Sequence, residues 1–334
     1  MSFNRLNRTN SLKKIGQSYT GLKPTITSAT GGSVSTPGNG FTVHTYNGSD
    51  TFTITGLSGN ITNVDYTSTY RKVGGTFAAP GSALQYVLVG GGGAGGGNAG
   101  AGGGAGGFRT NQPGHPRAGS DTTSPLSMGV DYTIQVGAGG PQDAANGQPS
   151  GILQPSNPNF TSLQTTGGGG GCNSSDPARP GGSGGGAAGP GNTGGGGNAG
   201  GYNPSEGQNG GVSNSGCCQN RSGGGGGGAG GAGNNTSSNS SGAPGGSGIS
   251  ITFDGTPRTF CGGGGGSSHY GGGQPSGGPG GGGNGGYGLW LTGNENNGSN
   301  ATAGGVNTGG GGGAGPGGGG IGKSGGSGKI MLRY

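Results

Sequence analysis

Bulky apolar residues come in short bursts along this chain, and the bursts read as strands. In Phe41–Gly56 (FTVHTYNGSDTFTITG), Phe41, Val43 and Thr45 alternate with their neighbours, and Phe52 and Ile54 do the same beyond Asn47-Gly48. A period of two on both sides of an Asn-Gly pair predicts a β-hairpin. Tyr66, Tyr70, Phe77, Leu84 and Tyr86 add β-type residues, and Tyr86–Val89 (YVLV) predicts a short buried strand that runs directly into glycine. Further strands are expected from Asp131 (DYTIQVGAGG), from Ile249 (ISITFDGTPRTFC, a hairpin around Asp254-Gly255) and in the closing Lys329–Tyr334 (KIMLRY). Nowhere do apolar positions recur at helical spacing.

Between the bursts lie glycine blocks, roughly 90–107, 167–171, 181–201, 223–233, 262–286 and 309–320. Glycine makes up 104 of 334 residues; hydrophobic residues are 24% and charged residues 7%. An ordinary domain is roughly half apolar and about a quarter charged, so no conventional core can run the length of this chain. Collagen is excluded because Ala94, Asn98, Ala99, Ala101 and Ala105 break the required triplet. Flexible linkers usually mix Gly with Ser and join apolar domains that are absent here. Two arrangements remain: a disordered low-complexity chain, as the Gly and Pro content alone would suggest, and packed glycine backbones, each pairing its N–H and C=O groups with neighbouring segments, which is the expectation. The expected fold is therefore mostly irregular and all-β, with no α-helical domain: a bundle of packed polyglycine-II-type helices with short capping β-strands and a small N-terminal β unit. The expected organisation is a basic arm (1–38), a small β unit (39–89) and a glycine-rich domain with exposed loops (90–334).

Charge adds one feature to this picture. The net charge is +6, and the first acidic residue is Asp50, preceded by Arg5, Arg8, Lys13, Lys14 and Lys23. Those five residues are the candidate anchor to a neighbouring protein, against the plainer alternative of a solvated tail. The start, MSFNRLNRTNSLKK, lacks an apolar stretch, so no signal peptide and cytoplasmic synthesis are expected. No run of about 18 apolar residues occurs, so no membrane insertion is expected. Cys172, Cys217, Cys218 and Cys261 form no C-x-x-C, so no zinc site is expected.

Motifs for catalysis and cofactors dissolve on inspection. Gly317–Ser324 (GGGGIGKS) spells the phosphate-binding G-x-x-x-x-G-K-S pattern, but neither an apolar strand before it nor a helical pattern after it is present. The nine acids are scattered, and His44, His115 and His269 are isolated. Arg109 and Arg221 merely border glycine blocks, without the repeated Arg and aromatic residues that bind single-stranded nucleic acid. No enzyme activity, cofactor, metal or nucleic acid is expected. Aromatic and amide residues gather instead in the segments between blocks: Tyr202 in GYNPSEGQN, His269 and Tyr270 in SSHYGGG, and Tyr287, Trp290 and Asn296 in GYGLWLTGNENNGSN. Exposed aromatics beside amides suit contacts with sugars or protein surfaces; the plainer reading is that these rings cap the glycine bundle. For Phe108, beside Gly107, capping is the expectation.

FTVHTYNGSDTFTITG, YVLVGGGGAGGG, GGGAGGFRT, YTIQVGAGG, GISITFDGTPRTFCGGGGG and GGSGKIMLRY occur here in one order. That series, from about Gly40 to Tyr334, resembles the glycine-rich domain of virion proteins of tailed bacteriophages, many of them marine. It departs near Tyr66–Gln85, where about twenty residues separate NVDY from QYVLV. The resemblance implies a tail fibre, fibre-tip adhesin or related appendage on the virion. The arm would dock on other virion proteins, and the loops would touch a host-surface glycan or protein. One copy or a homotrimer are both compatible with it. Rival readings are a capsid or neck decoration protein without a receptor role and, more remotely, an ice-binding protein, which would need a flat Thr/Ala face.

Overall fold

The computed structural model describes residues 25–58, 84–119, 126, 128–154, 162–173, 176–189, 192–213, 222–236, 240–268, 272–288 and 300–334. The described residues form twelve strands: β1 (Thr25–Thr30), β2 (Ser33–Ser35), β3 (Val43–Tyr46), β4 (Asp50–Ser58), β5 (Gln85–Val89), β6 (Phe108–Thr110), β7 (Asp131–Gln135), β8 (Gly151–Leu153), β9 (Leu163–Gln164), β10 (Ile249–Thr252), β11 (Pro257–Phe260) and β12 (Lys329–Arg333). They make one five-stranded sheet in the order β1-β4-β7-β8-β9, a second in the order β2-β3-β12-β5-β6, and the hairpin β10-β11.

Every ladder in these sheets is antiparallel. The last strand, β12, lies between β3 and β5, with Ile330 opposite Tyr46 and Leu88. Alternation then sorts its side chains. Ile330 and Leu332 face a core shared with the first sheet, alongside Tyr46, Phe52, Tyr86, Leu88 and Tyr132. Met331 faces a second core with Val43, Val87, Phe108, Phe253 and Phe260, under the β10-β11 hairpin. Both faces of the central strands β5 and β12 are thus buried, which is why they read as continuous apolar runs rather than alternating ones. Arg333 fastens the hairpin: its guanidinium lies 4.2 Å from the Phe41 ring centroid and 4.4 Å from that of Phe253, and Nη1 donates to the Phe253 carbonyl at 2.6 Å.

Val89 and Lys329 are paired neighbours, so everything from Gly90 to Gly328 leaves and returns at one point of the second sheet. Within that excursion the glycine blocks bond to one another. Successive N–H groups of one segment go to three different partners: Gly91 to Gln148, Gly92 to Gly326 and Gly93 to Gly104. Three residues on, the same partners recur: Ala94 to Ala145, Gly95 to Lys323 and Gly96 to Ala101. Packing is close enough that side chains have no room. A Cβ on Gly170 would sit 1.8 Å from the Ala144 carbonyl oxygen.

Two expectations are corrected. The bundle of polyglycine-II-type helices with capping strands is not the architecture: the described residues contain no helix, about 24% lie in strands, and three antiparallel sheets organise the chain. The physical reason is that the aromatic and β-branched bursts, few as they are, suffice to bury two hydrophobic cores between sheets. The hairpin around Asn47-Gly48 is also not formed. That turn exists, but it carries the chain from the second sheet to the first, so β3 and β4 pair with other strands. The hairpin around Asp254-Gly255 does form, with Thr252 opposite Pro257.

The two large sheets are joined at one edge by β1 and β2, which meet at a corner formed by Gly31 and Gly32. Gly31 has φ +107°, and a Cβ there would lie 1.9 Å from the Thr51 carbonyl oxygen. The corner is held by His44, whose Nδ1 donates to the Gly31 carbonyl at 2.7 Å, and by Asp50, which accepts from the Gly32 N–H at 3.0 Å. The N–H groups of Gly32 and Thr51 hold the Asp50 carboxyl below its ordinary value of 3.8. A folded-state pKa below the unfolded one stabilises above the unfolded value and is lost as pH falls through the folded one. Wild-type thermal stability is therefore expected to fall below about pH 4, with Asp50→Asn lowering it at neutral pH and removing that group's part of the acid dependence; melting curves from pH 3 to 7 measure this.

The lattice makes a second prediction. Gly170→Ala is expected to destabilise by at least about 1–3 kcal/mol, the usual cost of overpacking. Gly196→Ala, at an exposed position with nothing within 4 Å, is expected to change stability by less than about 0.5 kcal/mol. Chemical denaturation of the two variants against wild type checks the contrast.

Candidate functional site

The glycine segments have two ends, and different chemistry collects at each. One end is the sheet end, where the Gly90 N–H bonds the Gly107 carbonyl and the Gly107 N–H bonds the Thr166 carbonyl. Glu206 is fully buried there. Its carboxylate accepts from the N–H groups of Thr166 at 2.8 Å and Gly200 at 3.2 Å. Its backbone carbonyl accepts from Phe108, the first residue of β6. Glu206 thus substitutes an acceptor pair for the neighbouring glycine carbonyls at the point where the blocks stop. The Cys261 thiol is pushed up, first by burial and then by the Glu206 charge.

Arg109 and Tyr202 close this region. The Arg109 guanidinium lies 3.8 Å from the Tyr202 ring centroid and donates to the Gln164 carbonyl. Arg117 donates to the carbonyls of Ser205 and Ala229, and burial pushes its pKa down. Phe108, Arg109, Thr110, Arg117, Gly119, Asn203 and Pro204 line a crevice with room for about one water molecule. The arginines here are spent on carbonyls and a ring; the arrangement fixes the loop around Tyr202 and has no room for a substrate.

At the opposite end, serines take over where glycine stops. Ser213 Oγ donates to the Ser222 carbonyl at 2.9 Å, and Ser267 Oγ to the Gly100 carbonyl at 2.7 Å. Ser268 Oγ donates to the Gly273 carbonyl at 2.7 Å and accepts from the Gly242 N–H at 2.9 Å, while Ser268 also bridges Tyr287. Ser213, Ser222, Ser267 and Ser268 are all buried. These ties draw together the described flanks of residues 214–221, 269–271 and 289–299.

The structure therefore separates the candidate contact residues. Tyr202 is half-buried at the sheet end, engaged by Arg109. Tyr287 is half-buried at the serine end. His269, Tyr270, Trp290 and Asn296 lie outside the described residues, as do Arg5, Arg8, Lys13, Lys14 and Lys23. Phe108 is buried in the second core. In the sequence Glu206 reads as one of the polar residues of the GYNPSEGQN loop, with Tyr202 and Asn203; the structure buries it as an acceptor for backbone N–H groups instead.

Gly317–Ser324 forms a turn and then runs back along the lattice to β12. The Lys323 N–H donates to the Gly313 carbonyl and the Lys323 carbonyl accepts from Gly95, so this backbone serves the lattice. Among the described residues no group of three His, Cys, Asp or Glu side chains could hold a metal ion, and no helix is long and apolar enough to cross a membrane.

A profile of the glycine-rich domain matches residues 67–334, which is most of the chain. The protein belongs to the glycine-rich domain family. Comparison with curated proteins and with solved structures gives no match.

Glu206→Gln is expected to destabilise by about 1–3 kcal/mol, because the amide keeps one acceptor oxygen but turns an NH2 donor toward one of the two backbone N–H groups, which then loses its acceptor. Tyr202→Ala is expected to cost less, about 0.5–2 kcal/mol, since it removes mainly the cation–π contact. Denaturation midpoints of the two variants test the order.

Proposed function

We propose that this protein is a non-enzymatic structural protein of a bacteriophage virion, a tail-fibre or fibre-tip adhesin that presents loops to the host surface. The observation that carries the reading is the division of labour between the two ends of the glycine lattice. The sheets, the hydrophobic cores and the entry of the N-terminal segment through β1 lie at one end. At the other, buried serines gather the flanks of 269–271 and 289–299, which contain His269, Tyr270, Trp290 and Asn296. A lattice that satisfies its own backbone leaves such connecting segments free to vary without cost to the core, which suits recognition. The basic arm, with Arg5, Arg8, Lys13, Lys14 and Lys23, serves in this reading as the attachment to a neighbouring virion protein. The ordered series of flanking motifs supports the phage assignment.

Adsorption of virions carrying Trp290→Ala with Tyr270→Ala tests the proposal. A loss of adsorption of at least tenfold, with the protein still incorporated, is expected. Unchanged adsorption sinks the receptor role. Gold-labelled antibody on intact virions adds the location: label at fibre tips is the expected result, and label over the head or neck would mark a decoration protein instead.

A further inference from the structure

The segment Thr25–Ser35 is built as a clasp. It supplies the edge strand of both large sheets, β1 beside β4 and β2 beside β3. It invests little side-chain burial in doing so: Ile26 is its one buried residue, and all three residues of β2 are exposed. It has no charged residue. What holds it is main-chain pairing and a socket made entirely by residues that follow it. His44 and Asp50 bond the carbonyl of Gly31 and the N–H of Gly32. Tyr46 lies under the corner, with its hydroxyl buried and without a hydrogen-bond partner. The connection from the clasp to β3 passes through Thr36, Pro37, Gly38, Asn39 and Gly40. All of these but Pro37 are exposed, and Gly38 and Gly40 have φ of +77° and +81°.

From this juxtaposition we propose that the clasp is an exchangeable element, and that in the assembled protein the socket of each copy is filled by the Thr25–Ser35 segment of a second copy. An exchanged segment makes the same contacts it makes at home, so the balance is set by the linker and by local concentration. The linker here is mostly exposed, rich in turn residues and outside every ladder, so the β1–β4 and β2–β3 ladders that open in one copy re-form unchanged in the other. Exchange would tie neighbouring copies together directly beside their basic arms. The inference does not rest on the receptor role.

The test uses the full chain with one cysteine on each side of the clasp ladder. Thr30 and Thr53 are directly opposed in the β1–β4 register. Chains carrying Thr30→Cys and chains carrying Thr53→Cys are co-expressed, oxidised and run on a non-reducing gel. A disulfide-linked pair of twice the chain mass is expected, absent from either variant alone and abolished by reductant; light scattering of the wild type is expected to show more than one copy. In a single chain carrying both substitutions, a disulfide that forms only within the chain, with no cross-link between the two single variants, would overturn the proposal. Both positions are solvent-facing or half-buried, so folding is checked by matching the melting curve of the reduced variants to wild type.

Discussion

Everything in this structure follows from the obligation to pair backbone N–H and C=O groups where there are no side chains to share the task. A glycine-rich segment buried among other segments has no hydrophobic transfer to offset its ordering cost, which is larger for glycine than for any other residue. It gains only from hydrogen bonds, worth about 0.5–1.5 kcal/mol each, and from dense backbone contact. Both gains require every neighbour to be in place. Gly91, Gly92 and Gly93 bond three different partners from distant parts of the chain, so loss of one segment orphans groups on several others. The lattice is cooperative by construction.

Such a lattice needs ends. At the sheet end the ending is hydrophobic: β5 and β12 enter and leave side by side, flanked by two cores. Where a glycine carbonyl would have been the acceptor, Glu206 supplies a carboxylate. At the other end the ending is polar, with serine hydroxyls accepting and donating in place of backbone groups. The contrast is one of chemistry: side-chain burial between sheets closes one end, and hydroxyl-to-backbone hydrogen bonds close the other.

Much of the strand content was legible because it rests on local signals. Tyr86–Val89, Lys329–Arg333 and the Asp254-Gly255 hairpin are bursts of β-type residues with adjacent turn chemistry, and each is a strand or hairpin here. What sequence could not supply was partnership. Asn47-Gly48 marks a turn equally well whether the flanking strands pair with each other or with strands from residues 25–35, 131–135 and 329–333; burial of both faces of β3 decided for the latter. Glycine blocks carry no pattern from which a partner can be read, so neither the lattice connections nor the role of Glu206 was visible. Of the candidate contact residues, Tyr202 was placed with the loops by composition alone, and the structure puts it against Arg109 at the sheet end.

The glycine blocks are as firmly structured as the sheets. Amide hydrogen exchange on the full chain measures this most directly, since it reports the opening of individual backbone hydrogen bonds. Gly91–Gly96 and Gly102–Gly106 are expected to exchange as slowly as Val87–Val89 in β5 and to open together with them. Exchange of those glycines at the rate of an unfolded chain, while β5 stays protected, would contradict it.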